Sequence, residues 1–324
     1  MKNQKILITG GLGFIGSNLA YRCLDLGAKV TIFDCLDPNS GGNVENVDEI
    51  KNSIEFCFHS ILDFDRISQH VVDKDIIFNC AASTSHSFSM REPWLDSDTN
   101  SRGVLNLLEA VRRLNTQAKL VHVGTSSQLG RILYNPADES HPEFPIDIYS
   151  ANKVVSEKYV LVYARAHQMQ ATVIRLSNVF GPRASIHSPE FTFNNYFIGL
   201  ALQKKDVTVF GDGKQLRNVL YVRDAVSALI QAALVDRANG ETLFAVGDEH
   251  YSVTQIAELT TDVIGGQVKH IDWPKNREVI EVGNVTLSNK KIKQVLGWKP
   301  EYDFKNGLIE TKEYFLPRLD RYLK

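Results

Sequence analysis

The sequence predicts an α/β fold: a doubly wound parallel sheet with a smaller C-terminal lobe. Three observations predict it. Short apolar runs alternate with segments of helical period, a glycine-rich turn joins the first run to the first helix, and the rhythm breaks after Gly181-Pro182. Strands separated by a helical crossover of about a dozen residues or more pair in parallel.

The elements follow in order. Lys5–Thr9 (KILIT) is a short apolar run stopped by Gly10-Gly11, and Phe14 to Leu26 carries apolar residues at helical spacing until Gly27 stops it. Lys29–Phe33 is the second strand. Ile54–Phe58 is the third, after a polar Gly/Asn-rich connection. Asp75–Cys80 and Lys119–Val123 are strands on either side of a long helix from about Pro93 to Arg113. A helix over Ile148–His167 leads to a strand at Thr172–Leu176. The expected division is a nucleotide-binding domain over 1–180 and a substrate-binding lobe over 181–324. A helix at Val226–Val235 and a strand at Thr242–Val246 suggest that the chain crosses back near 225–247.

Composition narrows the function. Of 324 residues 43% are hydrophobic and 23% charged, and 36 basic side chains face 38 acidic ones, a net charge of −2. That balance argues against a polycationic nucleic-acid binder and against a disordered acidic chain. The apolar stretch Val219–Val235 is interrupted by Arg223 and Asp224, short of the roughly 20 apolar residues a membrane helix needs. The single triplet Ile6-Leu7-Ile8 followed by glycines is unlike a signal peptide, so a cytoplasmic protein without membrane partners is expected. Cys23, Cys35, Cys57 and Cys80 form no CxxC pair, and no His/Cys spacing suggests a metal.

The turn Thr9-Gly10-Gly11-Leu12-Gly13-Phe14-Ile15-Gly16-Ser17 places glycines at 10, 13 and 16, between a strand and a helix. A tight turn, a backbone that approaches a pyrophosphate, and a helix packed close to its sheet all require small residues here. The helix start then offers N–H groups to phosphate. Asp34 ends the second strand 18 residues past Gly16, where a carboxylate accepts from ribose hydroxyls. These features predict a Rossmann-type dinucleotide site. An anionic Asp34 repels a 2′-phosphate, and no Arg or Lys follows it up to Asn43, so NAD is expected over NADP.

Tyr149 and Lys153 stand four apart at the start of a predicted helix and share one face. The preceding strand exits into Thr125-Ser126-Ser127, and parallel strands deliver such residues to the carboxyl edge of the sheet. A phenol of pKa near 10 must lose its proton near pH 7, a cost of roughly 4 kcal/mol. One ammonium at about 4 Å, in an effective dielectric near 20, supplies about that much. The predicted catalytic set is Tyr149 as general base, Lys153 as its electrostatic partner and Thr125 as a holder of the substrate hydroxyl.

The chain resembles the extended short-chain dehydrogenases/reductases, in the nucleotide-sugar epimerase and dehydratase group. The resemblance runs through TGGLGFIGS, Asp34, NCAAS (79–83), TNSRGVLNLLEA (99–110), GTSSQLG (124–130), YSANK (149–153), RLSNVFGPR (175–183), VTVFGDGKQLRNVLYVRD (207–224) and LGWKP (296–300). It implies that Ser60 and Ile61 lie at the adenine, Ala81 and Ala82 along the pyrophosphate and ribose, Asn100 in the cofactor shell, and Leu176 and Ser177 near the nicotinamide. For the substrate it implies Asn178, Asn194 and Asn195 at the sugar diphosphate, Thr208 and Phe210 at the base, and Arg217 and Arg277 as a diphosphate clamp. It also implies a homodimer through the helices near 93–113 and 148–168. The chain departs from the family at Ser60, where an Asp is common, at Asn79-Cys80 in place of His-Leu, and at Gln128-Leu129 in place of Val-Tyr.

Similar dehydratases place Asp-Glu after the catalytic Thr, and similar decarboxylases carry Glu where Ser127 stands; this chain has Ser126-Ser127. The expected activity is therefore NAD-dependent epimerisation of a nucleotide sugar through a 4-keto intermediate. The alternatives are a C4 dehydrogenase or ketoreductase, a 4,6-dehydratase or decarboxylase, and, in a different class, a non-catalytic NAD(H)-sensing binder. His86 and His187, in loops facing the lobe, read as solvated side chains.

Overall fold

The computed structural model describes residues 1–275 and 281–323. Seven strands form its main sheet: β1 (Lys5–Thr9), β2 (Lys29–Asp34), β3 (Ile54–Phe58), β4 (Ile76–Asn79), β5 (Lys119–Thr125), β6 (Ala171–Leu176) and, after three intervening strands, β10 (Thr242–Ala245). Their order is β3-β2-β1-β4-β5-β6-β10, and every neighbouring pair is parallel. Chain order reverses between β1 and β4, so a crevice opens there beyond the strands' carboxyl ends. At one edge of the sheet β10 pairs in parallel along β6.

Burial on both faces explains the near-continuous apolar strands. Ile6, Leu7 and Ile8 are fully buried, as are Val173 and Ile174. Helices α1 (Phe14–Asp25), α2 (Phe64–Val71), α3 (His86–Arg91), α4 (Pro93–Ser97), α5 (Gly103–Leu114) and α6 (Ile148–Ala166) carry the crossovers. The long helix expected from Pro93 to Arg113 is interrupted: Asp98–Arg102 between α4 and α5 is a π-helical turn. Apolar periodicity runs through such a turn, so the extra residue is invisible in the sequence. α2 went unrecognised in the sequence, although Asp63 caps it by accepting from the Arg66 N–H at 3.1 Å.

The lobe contains β7 (Asn178–Phe180), β8 (Asp206–Phe210), β9 (Leu216–Tyr221), β11 (His250–Ser252) and β12 (Gln267–Ile271), with α7 (Phe193–Leu202) and α9 (Val253–Ile264), whereas α8 (Val222–Leu234) packs on α1, β5 and β6 of the main sheet. Strands β7, β9 and β11 form one small sheet, and β8 and β12 another. Among the described residues, no helix is long and apolar enough to cross a membrane.

Candidate active site

The switch point and the lobe enclose a cleft of about 780 Å3. At its floor the chain leaves β1 through Gly10, whose φ is +68° and where an added Cβ would stand 2.6 Å from the Ala81 backbone nitrogen. At Gly16, in the first turn of α1, a Cβ would overlap the Gly10 carbonyl oxygen. Both positions exclude any larger residue, so the loop and the start of α1 lie flat beside β4. First-turn N–H groups have no intrahelical acceptor, so the start of α1 is suited to hold an anion. Asp34 closes the cradle from β2. Its carboxylate accepts from the Leu12 and Leu36 N–H groups, both at 2.9 Å. Burial raises its pKa, and those N–H groups together with that of Cys35 pull it back. Each oxygen keeps a lone pair for a further donor. Gly10, Gly13, Phe14, Ile15, Gly16, Asp34, Ser60, Ile61, Ala81, Ala82, Leu176 and Ser177 all line the cleft, so the residues present fit a dinucleotide. Asn100 does not. It is buried in the π-helical turn and donates to the Ser83 carbonyl at 2.9 Å, so it shapes the lining rather than forming it.

Further along the cleft, β5 delivers Thr125, and α6 delivers Tyr149 and Lys153. Asp147 caps α6, accepting from the Ser150 N–H at 2.7 Å, and this places Tyr149 in the helix's first turn. Thr125 lies near enough to the Tyr149 phenol to favour its ionised form. A hydroxyl web continues from it: Thr125 Oγ1 and Ser127 Oγ are 3.1 Å apart, and Ser150 donates to Ser127 at 3.1 Å. Lys153 donates to the Val123 carbonyl at 2.6 Å.

The electrostatics differ from the simple expectation of a lysine pulling a phenol down. Burial pushes the Tyr149 phenol well above its usual range, and Asp147 and Asp96 add to this against the opposing effect of Thr125. Burial also lowers Lys153 to about 8, opposed by Cys80, Glu157 and Asp96. The cause is shared: both groups are nearly out of water, and a low-dielectric setting disfavours each charged form.

Beside Tyr149 the cleft contains a pair that the reading of His86 as a solvated loop side chain did not foresee. His86 Nδ1 lies 2.7 Å from Asp147 Oδ2, and its ring packs edge-on against Tyr149 with centroids 5.0 Å apart. The pair is hidden in sequence because 61 residues separate its members. Ser85 and Ser87 both donate to Glu190, which lines the same cleft.

The substrate residues divide. Asn178 and Asn195 line the cleft; Asn194 stands behind them, donating to the Asn178 carbonyl at 3.1 Å. Asn195 donates to the Val179 carbonyl at 2.9 Å, so these amides brace β7 while the Oδ1 atoms of Asn194 and Asn195 stay buried and unpartnered. Thr208, Phe210 and Arg217 lie outside the cleft lining. Phe210 packs on Trp273, and Arg217 donates to Glu281 and to the Gly283 carbonyl, both at 2.6 Å. Arg277 lies outside the described residues. Away from the cleft, Glu55, Cys57 and His70 bring a carboxylate, a thiol and an imidazole within 4.8 Å of one another, a grouping of β3 with α2 that sequence spacing did not show.

A glycine cradle at the switch point and a Thr–Tyr–Lys set on one sheet edge define the short-chain dehydrogenase/reductase class. Comparison with known proteins agrees and narrows it. The chain belongs to the family described as GDP-mannose 4,6 dehydratase, whose model matches residues 7–311, within the extended nucleotide-sugar epimerases and dehydratases. It is 32% identical to a UDP-glucose 4-epimerase of Mycolicibacterium smegmatis, over 96% of this chain and 98% of the relative. The crystal structure of a Thermotoga maritima UDP-glucose 4-epimerase with UDP-glucose superposes with TM-score 0.87 at 29% identity, covering 97% of this chain and 99% of that one. A dTDP-glucose 4,6-dehydratase of Bacillus anthracis in complex with NAD gives 0.85 at 27% identity, covering 99% and 100%. Relatives of similar identity are named as dehydratases and decarboxylases.

Proposed function

We propose that the chain is an NAD-dependent nucleotide-sugar 4-epimerase, with UDP-hexoses as the first substrates to test. The observation that carries this reading is at the exit of β5. The Thr125, Tyr149 and Lys153 side chains converge there, and the residues after Thr125 are hydroxyls, one of them tied to Thr125 and Ser150. Bound NAD would supply reversible two-electron oxidation of the carbinol carbon. Gly10, Gly13, Phe14, Ile15 and Gly16 would hold its pyrophosphate, Asp34 a ribose, Ser60 and Ile61 the adenine, Ala81 and Ala82 the middle of the molecule, and Leu176 and Ser177 the nicotinamide end. Tyr149 takes the C4 hydroxyl proton during oxidation and returns it during reduction. Thr125 holds that oxygen, and Lys153, mostly charged below pH 8, offsets the phenolate that burial opposes.

Deuterium at C4 of UDP-glucose tests the reading. Epimerisation retains the label at C4 and accumulates no NADH over many turnovers. A second reading, elimination across C5–C6, has its own support in the His86–Asp147 pair beside Tyr149, which sets an imidazole in the cleft where an acid or base would act. Label arriving at C6 would establish it and overturn the first. Stoichiometric NADH with a released keto sugar would instead mean a C4 dehydrogenase.

The division near residue 180 then separates cofactor from substrate binding. Val155 and Val162 of α6 and Trp94 of α4 are exposed, which supports pairing of two copies through these helices. The four unpaired thiols suit a reducing cytoplasm.

A further inference from the structure

One rung of the main sheet is polar. Thr9 of β1 stands opposite Asn79 of β4, and Asn79 opposite His122 of β5. All three are buried. Buried polar groups are costly unless bonded, and here they are bonded in a line. Thr9 Oγ1 and Asn79 Oδ1 are 2.7 Å apart, and Asn79 Nδ2 is 3.0 Å from His122 Nδ1. The far ring nitrogen, Nε2, lies 3.4 Å from Lys153 Nζ and 3.3 Å from Ser156 Oγ. The line thus ends on Lys153, which stands one helical turn from Tyr149 on α6 and lines the same cleft.

Such a line has two wirings. In one, the Asn79 amide donates to Nδ1, Thr9 donates to the amide oxygen, and Nε2–H donates to Ser156, whose own hydroxyl donates to the Lys153 carbonyl at 3.0 Å. An ammonium at Lys153 then faces an N–H and finds no acceptor on the ring. In the other, the amide is turned over, Nδ1–H donates to its oxygen, and Thr9 accepts. Nε2 then offers a lone pair to the ammonium. Amide and imidazole permit this exchange because each carries a donor and an acceptor at opposite ends.

We propose that the Thr9–Asn79–His122 rung is a tautomer switch for Lys153, offering it a lone pair when it is an ammonium and turning an N–H to Ser156 when it is an amine. His122 is therefore a positioning residue, acting on the Tyr149 chemistry through Lys153. The imidazole stays neutral because burial, and then Lys153, hold its pKa well below the usual value. The groups acting on Lys153 from other directions are Cys80 beyond β4, Glu157 on α6 and Asp96 on α4. Asn79 stands where the family commonly has His, and its amide can turn over between the Thr9 hydroxyl and the His122 imidazole.

The inference rests on Lys153 partnering Tyr149, but its test needs no turnover, so failure of the epimerase reading would leave it standing. The full chain labelled with 15N-histidine is followed by two-bond 1H–15N correlation from about pH 6.5 to 10, with His122 assigned by its loss in His122→Phe, or in His122→Gln should the first not fold. The expected result is a neutral ring whose proton moves from Nδ1 to Nε2 with a midpoint near 8, where Lys153 titrates. In Lys153→Met the proton should stay on Nε2 throughout. A single tautomer across the range in the unaltered chain overturns the proposal, as does a switch that persists in Lys153→Met.

Discussion

Lys153→Met should stabilise the fold near neutral pH while removing a group on which the chemistry depends. Lys153 is 4% exposed and titrates at about 8 instead of its usual 10.5. Below about pH 8 it is charged in both folded and unfolded chains, and the folded chain bears the whole cost of burying that charge. The gap of about 2.5 pH units, at 1.36 kcal/mol each, makes that cost about 3 kcal/mol. Between about 8 and 10.5 the unfolded chain binds a proton that the folded chain does not, so stability rises with pH through that window. Met has a similar length and no charge, so its advantage should be about 3 kcal/mol near pH 7 and about 1.5 kcal/mol near pH 9.5. Equilibrium urea unfolding of both proteins at the two pH values measures it, as a midpoint shift at constant slope. A variant less stable than the parent near pH 7, or an advantage equal at both pH values, would refute the argument from buried charge.

Two other predictions follow from the same packing. Tyr149→Phe keeps the ring against His86 but removes the proton acceptor; kcat for UDP-glucose epimerisation should fall at least about 100-fold with NAD affinity changed by less than about threefold, and unchanged kcat would remove Tyr149 from the mechanism. Glu157→Ala should cost about 3–5 kcal/mol in urea unfolding, because Arg175, 1% exposed and bonded to Glu157 at 2.7 and 2.8 Å, keeps only Glu143 as a carboxylate partner; combining Arg175→Met with Glu157→Leu should recover most of the loss, and a single variant as stable as the parent would refute the burial argument.

The sequence by itself determined most of the strands, the glycine cradle and the placing of Tyr149 with Lys153 on one helix, because each is a local pattern. An apolar run stopped by glycines needs no distant partner to be recognised, and glycines three apart between a strand and a helix leave few other uses. Tyr149 and Lys153 share a helix face by spacing alone. The tertiary structure decided what depends on residues far apart in the chain. It joined His86 to Asp147, closed Arg217 onto Glu281 rather than leaving it open to the cleft, and aligned Thr9, Asn79 and His122 on one rung. It also set the charge states. A sequence shows that a lysine stands near a tyrosine, but the water stripped from both is a property of everything packed around them, and that loss moves Tyr149 up and Lys153 down.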